Sequence, residues 1–90
     1  MPKITREFEI LNQYGIHARP AALFVKTASR YDADVIVEKD GNKVSGKSIM
    51  GMMTLEAFRG AKLKVTAEGE DAIEVLDELQ ALIESKFDED

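Results

Sequence analysis

The hydrophobic pattern of this 90-residue chain alternates between a strand-like and a helix-like period, and this alternation constrains the fold more than any other feature. Apolar residues at every second position are typical of half-buried strands, and apolar residues three or four positions apart are typical of helices. Strands are predicted over residues 3–11, 34–39, 42–45 and 61–67, and helices over 18–30, 48–58 and 70–83. The order βαββαβα predicts an α/β (α+β) fold in a single domain over residues 1–90. Its architecture is a two-layer open-faced sandwich, in which a four-stranded, mainly antiparallel sheet carries three helices on one face.

Turn and boundary residues mark where several of these segments begin. Asp40-Gly41 predicts a type I′ hairpin turn, because both central residues of that turn need a positive φ. Pro20 fits the first turn of a helix, where its missing N–H costs nothing, and it predicts a helix start near residues 18–20. The apolar stripe expected for that helix consists of Ala18, Ala21, Ala22, Val25 and Ala28.

The second and third helices have boundary residues of their own. Ser48 is expected to cap the second helix, and Gly60 is expected to end it in the left-handed conformation. Glu70 and Asp71 are expected to open the last helix, because the helix dipole favours negative charge in the first turn. Residues 87–90 are expected to form a frayed tail.

Composition excludes several functional classes. The chain has no cysteine, which rules out a disulfide scaffold, a thiol nucleophile and a cysteine-ligated zinc site. A single histidine argues against a histidine-rich metal site, so we expect neither a metal nor a cofactor. No apolar run resembles a signal sequence or a membrane span, and we therefore expect a soluble cytoplasmic protein without membrane insertion.

Charge is distributed unevenly along the chain. Residues 1–67 hold 11 of the 12 Lys and Arg residues and have a net charge of +4, whereas residues 68–90 have a net charge of −9. The acidic segment is either an ordinary solvated helix surface or the complement of a mildly basic working face that steers acidic partners. An isoelectric point near 4.9, without a cluster of basic and aromatic residues, argues against nucleic-acid binding.

His17, the only histidine, lies at the predicted start of the first helix. Free backbone N–H groups and the helix dipole make this position favourable for an anion. The dipole also disfavours the imidazolium, which leaves a neutral ring nitrogen able to attack a phosphorus atom. Arg19 can add charge-assisted hydrogen bonds to the anion. The simpler alternatives are a surface histidine that caps the helix weakly and a solvated arginine.

Ser48 has two compatible interpretations, an N-cap and a phosphorylation site. A phosphoserine at a helix N-terminus is stabilised in place, so modification can change the surface charge without unfolding the helix. Beside it, Ile49, Met50, Met52 and Met53 place four apolar residues in five positions, more than one face of a short helix can bury. We therefore expect Met50 and Met53 to be exposed contacts on an adaptable binding surface.

Two motifs occur about thirty residues apart: Gly15-Ile16-His17-Ala18-Arg19-Pro20-Ala21 and Gly46-Lys47-Ser48-Ile49-Met50-Gly51. At these motifs the chain resembles HPr, the histidine-containing phosphocarrier of the bacterial phosphoenolpyruvate-dependent phosphotransferase system. The resemblance extends over nearly the whole chain and includes the stretch Thr27-Ala28-Ser29-Arg30-Tyr31-Asp32-Ala33.

The resemblance implies that phospho-Enzyme I transfers a phosphoryl group to Nδ1 of His17, and that IIA proteins or domains accept it and feed sugar uptake. Arg19 matches the family's arginine beside the phosphohistidine. Ser48 matches the serine that HPr kinase/phosphorylase modifies in bacteria that have this enzyme. The predicted partner-binding residues are Ala18, Ala22 and the apolar docking residues Ile49, Met50 and Met53.

Three functions follow as alternatives. The first is a phosphocarrier that acts as a monomer within a phosphotransferase cascade and has no turnover of its own. The second is a regulatory interaction protein, in carbon catabolite or nitrogen-branch control, that works mainly through Ser48 or partner binding. The third is a small hydrolase of acyl phosphates, which needs residues that position water, and no convincing set occurs. Because position 17 is histidine, the chain does not look like the regulatory homologues that lack it.

Overall fold

A computed structural model describes residues 1–89 as a four-stranded sheet with three helices on one face. The strands are β1 (Lys3–Glu9), β2 (Asp34–Lys39), β3 (Asn42–Ser45) and β4 (Lys62–Glu68). The helices are α1 (Ala18–Ala28), α2 (Ile49–Thr54) and α3 (Ala72–Glu84), and a short 3₁₀ turn covers Lys86–Asp88. The sheet order is β1-β4-β2-β3, and all three strand pairs are antiparallel. The predicted fold class is confirmed.

The core lies between the sheet and the helices. Alternate residues of the strands point toward the helices and are buried, as the period of two requires. The sheet contributes Phe8, Val35, Val37, Leu63, Val65 and Ala67, and the helices contribute Phe24, Met52, Val75, Leu76, Leu79 and Ile83. Truncation of a fully buried Leu or Phe in such a core costs about 3–5 kcal/mol. The core therefore holds the helix ends rigidly against the sheet.

Helix α1 begins at Ala18, as Pro20 predicts, but its buried stripe differs from the expected one. The buried residues are Pro20, Ala21, Phe24, Thr27 and Ala28. Phe24 fills the core where a stripe of small residues was expected, whereas Ala18 and Ala22 are exposed. The helix also ends at Ala28 rather than Arg30, and β1 ends at Glu9 rather than at residue 11. Two predicted partner contacts are thus left on the surface.

The hairpin turn between β2 and β3 has the predicted geometry, because Asp40 and Gly41 have φ values of 51° and 85°. The predicted end of α2 is wrong. The helix stops at Thr54, and Glu56 is the first residue after it with a positive φ, 51°. Gly60 also has a positive φ, 89°, but it lies six residues beyond the helix end. The helix cannot continue because the Ala57 carbonyl accepts the Ile16 N–H at 2.8 Å, which ties this segment to the loop before α1.

The C-terminal segment is not frayed where the structure describes it. Phe87 is completely buried, and Glu89 contacts residues near the start of α1. The prediction of a frayed tail was wrong because this mostly polar segment contains Phe87, a large side chain that belongs to the core. Asp90 lies outside the described residues.

Two acidic residues tie the α1–β2 connection to α3. The side chain of Asp71, at the N-cap position of α3, accepts hydrogen bonds from the backbone N–H groups of Asp32 and Ala33, both at 2.9 Å. Tyr31 donates its hydroxyl to Glu78, and this bond to a carboxylate raises the pKa of Tyr31 above its usual value. The C-terminal end of α1 thus lies near the start of α3. None of the helices within residues 1–89 is long and apolar enough to cross a membrane.

Candidate functional site

His17 is the N-cap residue of α1, and its side chain is 43% exposed. Its backbone carbonyl accepts the Ala21 N–H at 2.9 Å, which forms the first bond of the helix. The imidazole makes no capping hydrogen bond to the helix backbone. The side chain is therefore available to solvent and to a partner while its backbone is fixed by the helix.

Two backbone donors at this helix start have no acceptor within residues 1–89. The N–H groups of Ala18 and Arg19 make no hydrogen bond there, and Pro20 has no N–H to satisfy. The first turn of α1 contains no acidic residue that could compete for these donors. Free N–H groups and the positive end of the helix dipole together form a site for an anion beside His17.

Gly15 fixes the path of the chain into this site. Its φ is +70°, and a Cβ atom at this position would lie 2.3 Å from the Ala57 carbonyl oxygen and 2.8 Å from the Phe58 Cα. The adjacent Ile16 N–H donates to that same Ala57 oxygen. Only glycine permits both the left-handed conformation and this close backbone approach. The loop after α2 therefore positions His17 through backbone contacts.

Two side chains contact the His17 ring. Nε2 lies 3.0 Å from Glu89 Oε2 and 3.2 Å from Glu89 Oε1. The Tyr14 ring meets the imidazole edge to face, with centroids 6.4 Å apart and planes at 83°. Sequence reasoning missed both residues. Glu89 belongs to the segment that was expected to fray, and the sequence carries no signal that Phe87 brings it back to α1.

Arg19 occupies the second position of α1 and is exposed. Its guanidinium makes no hydrogen bond or ion pair within residues 1–89, and neither Arg19 nor Ser48 is hydrogen-bonded to His17 there. Because the side chain is long and unengaged, it can move to an anion bound at the helix start without breaking an existing contact. This geometry is compatible with the predicted anion-binding role.

Ser48 is the N-cap residue of α2. Its Oγ accepts the Gly51 N–H at 3.0 Å, as the capping interpretation predicts. The preceding residue is also held, since Lys47 Nζ donates to the Tyr31 carbonyl at 2.7 Å. The hydroxyl is half-buried rather than enclosed.

Exposed apolar side chains lie on and beside α2, which packs against α1. We call Ala18, Ala22, Ile49, Met50 and Met53 the docking face. Met50 is 75% exposed, and Met53 is exposed as expected, whereas Met52 is completely buried. Tyr14 and Phe58 are also exposed, and both flank Gly15 in the structure. The sequence analysis did not predict that Phe58 is exposed. It assigned this residue to the end of the second helix, which in fact stops earlier.

Within residues 1–89, no group of three or more His, Cys, Asp or Glu residues is arranged to hold a metal ion. The titratable groups at the site within residues 1–89 are Tyr14, His17, Arg19 and Glu89. The arrangement can thus present one imidazole next to two free N–H groups and one mobile cation, a set suited to holding a phosphoryl group.

Comparison with known proteins supports this interpretation. The family model described as "PTS HPr component phosphorylation site" matches residues 4–85. The phosphocarrier protein HPr of Treponema pallidum is 39% identical over 97% of this chain and 99% of its own length. The crystal structure of HPr-C-His from Thermoanaerobacter tengcongensis has a TM-score of 0.90 and 51% identity, covering 100% of this chain and 99% of that chain.

A relative with a different name is comparably similar. The HPr-like protein Crh of Bacillus subtilis is 43% identical over 92% of this chain and 98% of its own length. A crystal structure of that Crh, described as a dimer with a swapped domain, has a TM-score of 0.74 over 92% of this chain and 95% of that chain. Similarity alone therefore leads both to HPr and to an HPr-like protein that is linked by its description to catabolite repression.

Proposed function

This chain belongs to the HPr family of phosphocarrier proteins, and from that membership and the geometry at α1 we propose that it receives a phosphoryl group on His17 and passes it to another protein. The observation that carries the proposal is the pair of unengaged N–H groups, of Ala18 and Arg19, beside an exposed imidazole. The donor in this proposal is phospho-Enzyme I, and the acceptors are IIA proteins or domains that serve sugar uptake.

The proposed reaction uses the lone pair of His17 Nδ1. This nitrogen attacks the phosphorus atom of the phosphoryl group on the donor, a new N–P bond forms, and the bond between phosphorus and the donor's carrying group breaks. The donor's carrying group keeps the electron pair of the broken bond. The free N–H groups and the Arg19 guanidinium hydrogen-bond to the phosphoryl oxygens. Because these donors are already in place before transfer, they need little reorganisation when the negative charge arrives.

A carrier must also release the phosphoryl group, and the site suits this requirement. The anion site has two backbone donors and one exposed arginine, and it lies at the surface rather than in a closed cavity. Exposed, solvated ion pairs contribute little binding energy, so Arg19 can assist transfer without trapping the group. We therefore propose a carrier without turnover of its own rather than a hydrolase.

The docking face supplies the surface on which partners are proposed to bind. It combines exposed apolar side chains of α2 with small residues of α1, the helix that begins at His17, and the two helices pack together. Methionine side chains adapt to different surfaces, which suits a protein that must bind a donor and several acceptors in turn. We propose that the chain acts as a cytoplasmic monomer.

Phosphorylation from phosphoenolpyruvate tests the proposal. With Enzyme I and labelled phosphoenolpyruvate, the protein should acquire one acid-labile phosphoryl group, and His17→Ala should acquire none. Because the His17 side chain makes no cap, the variant should remain folded by circular dichroism, which serves as the control. Labelling that survives in His17→Ala would contradict the assignment of His17 as the acceptor.

A second function is favoured by the similarity to Crh and by the position of Ser48. In this alternative, the chain is a regulatory protein that is phosphorylated on Ser48 by HPr kinase/phosphorylase. A phosphoserine at the α2 start places negative charge next to the docking face and is favoured by the local dipole. Kinase and ATP should give an acid-stable label that Ser48→Ala loses and Ser45→Ala retains. An unlabelled wild-type protein would exclude this alternative.

A further inference from the structure

The Glu89 carboxylate lies in a network that the family assignment does not explain. Glu89 Oε2 is 3.0 Å from His17 Nε2, and Asn12 Nδ2 donates to Glu89 Oε1 at 2.9 Å. The second Asn12 amide hydrogen goes to the Gly15 carbonyl at 2.7 Å. Asn12 is completely buried, and two acceptors fix the orientation of its NH₂ group. A buried amide therefore holds the carboxylate that contacts the reactive histidine.

The fold brings this carboxylate to the site through a built connection. Phe87, two residues earlier, is completely buried, and the Glu89 side chain is only 14% exposed. Residues 86, 87 and 88 have φ values of 57°, 55° and 57°, in the left-handed region that non-glycine residues disfavour. The chain adopts this costly turn because it lets Phe87 enter the core. Glu89 is then directed back toward α1.

The chemistry of the contact determines which ring nitrogen is reactive. An ionised carboxylate only accepts hydrogen bonds, so a neutral imidazole in contact with it must donate from Nε2. The remaining nitrogen, Nδ1, then carries the lone pair. The same relation between a carboxylate and an imidazole orients the histidine in hydrolase triads and in metal sites.

We propose that Glu89 is a positioning residue, which holds the His17 ring through Nε2–H so that Nδ1 presents its lone pair to the phosphorus atom. The inference rests on the proposed function, because it concerns the same transfer. When the Nδ1–P bond forms, the proton stays on Nε2 and the ring becomes cationic. The donor's carrying group leaves with the electrons of its broken bond to phosphorus. The carboxylate remains hydrogen-bonded to a ring that now carries a positive charge, so no proton has to move during transfer.

The test compares Glu89→Ala, Glu89→Gln and Asp88→Asn. Glu89→Ala removes the acceptor, whereas Glu89→Gln retains an oxygen that can accept from Nε2–H. Asp88→Asn removes the same charge one residue away, at an exposed position with a φ of 57° that asparagine tolerates. Asp88 makes no side-chain hydrogen bond or ion pair within residues 1–89, which makes it a matched control.

Two measurements test the proposal. In ¹H–¹⁵N spectra of the unphosphorylated protein, the Nε2–H signal of His17 should be visible because its hydrogen bond slows exchange with water. The signal should disappear in Glu89→Ala and remain in Glu89→Gln and Asp88→Asn. In single-turnover transfer from phospho-Enzyme I, Glu89→Ala should be slower by about tenfold, the lower range for loss of a group that orients a functional histidine. Glu89→Gln should recover most of this loss.

Unchanged transfer by Glu89→Ala would overturn the proposal, and so would an equal loss in Asp88→Asn, which would indicate a general effect of tail charge. Failure of the proposed function looks different. If wild-type protein receives no label from phospho-Enzyme I, the carrier function itself fails, and the Nε2–H signal alone decides whether Glu89 fixes the ring.

Discussion

The starts of α1 and α2 are both helix N-termini, but only one of them is capped by a side chain. At α2, Ser48 Oγ accepts the Gly51 N–H, the third N–H of the helix. At α1, the His17 ring makes no capping bond, and the N–H groups of Ala18 and Arg19 are left without acceptors within residues 1–89. The first two N–H groups of α2, those of Ile49 and Met50, also make no hydrogen bond within residues 1–89. The two ends therefore differ in the cap, which α2 has and α1 lacks, and in the imidazole, which lies only at α1.

The capped start of α2 serves mainly the stability of the fold, whereas the uncapped start of α1 serves mainly its proposed function. A capped end contributes to the free energy of folding, whereas the His17 side chain forgoes a capping bond and stays available to another molecule. The α1 end is tolerated because Gly15 and Ala57 hold the chain in place by backbone contacts. We therefore expect substitutions at α2 to change stability, and substitutions of side chains at α1 to change transfer.

The largest effect is expected for Gly15→Ala. A Cβ atom would overlap the Ala57 oxygen at 2.3 Å in addition to the strain of a φ of +70°, so the free energy of unfolding should fall by about 3 kcal/mol. Gly41→Ala is the matched control, because φ there is +85° but no atom lies within 4 Å. It should cost about 1 kcal/mol, the conformational penalty alone. Equal losses in urea unfolding would show that the backbone contact at Gly15 does not hold the α1 start.

An intermediate effect is expected for Arg19→Ala. Loss of charge-assisted hydrogen bonds to the phosphoryl group should slow single-turnover transfer by about tenfold, or 1.4 kcal/mol. Stability should be unchanged, because Arg19 makes no bond within residues 1–89. Lys26→Ala, near the other end of α1, removes the same charge far from the anion site and should transfer normally. If both variants slow transfer alike, Arg19 acts only through the overall charge of the protein.

The smallest effect is the direct test of the two helix ends. Ser48→Ala should lower the free energy of unfolding by about 1 kcal/mol, the usual cost of a lost N-cap. His17→Ala should change it by less than about 0.5 kcal/mol, because within residues 1–89 the only polar side-chain partner of His17 is Glu89, in a partly exposed pair. Chemical denaturation of the two variants under one set of conditions measures both values. A larger loss for His17→Ala would reverse the comparison.

Local sequence rules predicted most of the fold because its elements have clear boundaries. Pro20 fixed the start of α1, and Asp40-Gly41 fixed the hairpin with the predicted φ signs. The end of α2 and the C-terminal tail could not be predicted this way. Both depend on contacts between residues far apart in sequence, the Ile16–Ala57 hydrogen bond and the burial of Phe87. Helical spacing or polar composition alone does not reveal such contacts.

The candidate site, like the fold, could be predicted only in part from the sequence. His17, Arg19 and Ser48 could be selected from the sequence, because each lies at or beside a helix start and has a side chain suited to anions or capping. The exposed state of Met50 and Met53 also followed from the apolar excess in α2. The ring contacts of Tyr14 and Glu89 could not be found in advance. Their approach to His17 is set by the turn at Gly15 and by the position of the tail.

The central claim is that the open end of α1 holds a phosphoryl group on Nδ1 of His17. The most direct measurement is ¹H, ¹⁵N and ³¹P NMR of the protein after phosphorylation by Enzyme I and phosphoenolpyruvate. Coupling of phosphorus to His17 Nδ1, with Nε2 still protonated, is the predicted result. Phosphorus bonded to Nε2, or to any residue other than His17, would contradict the account.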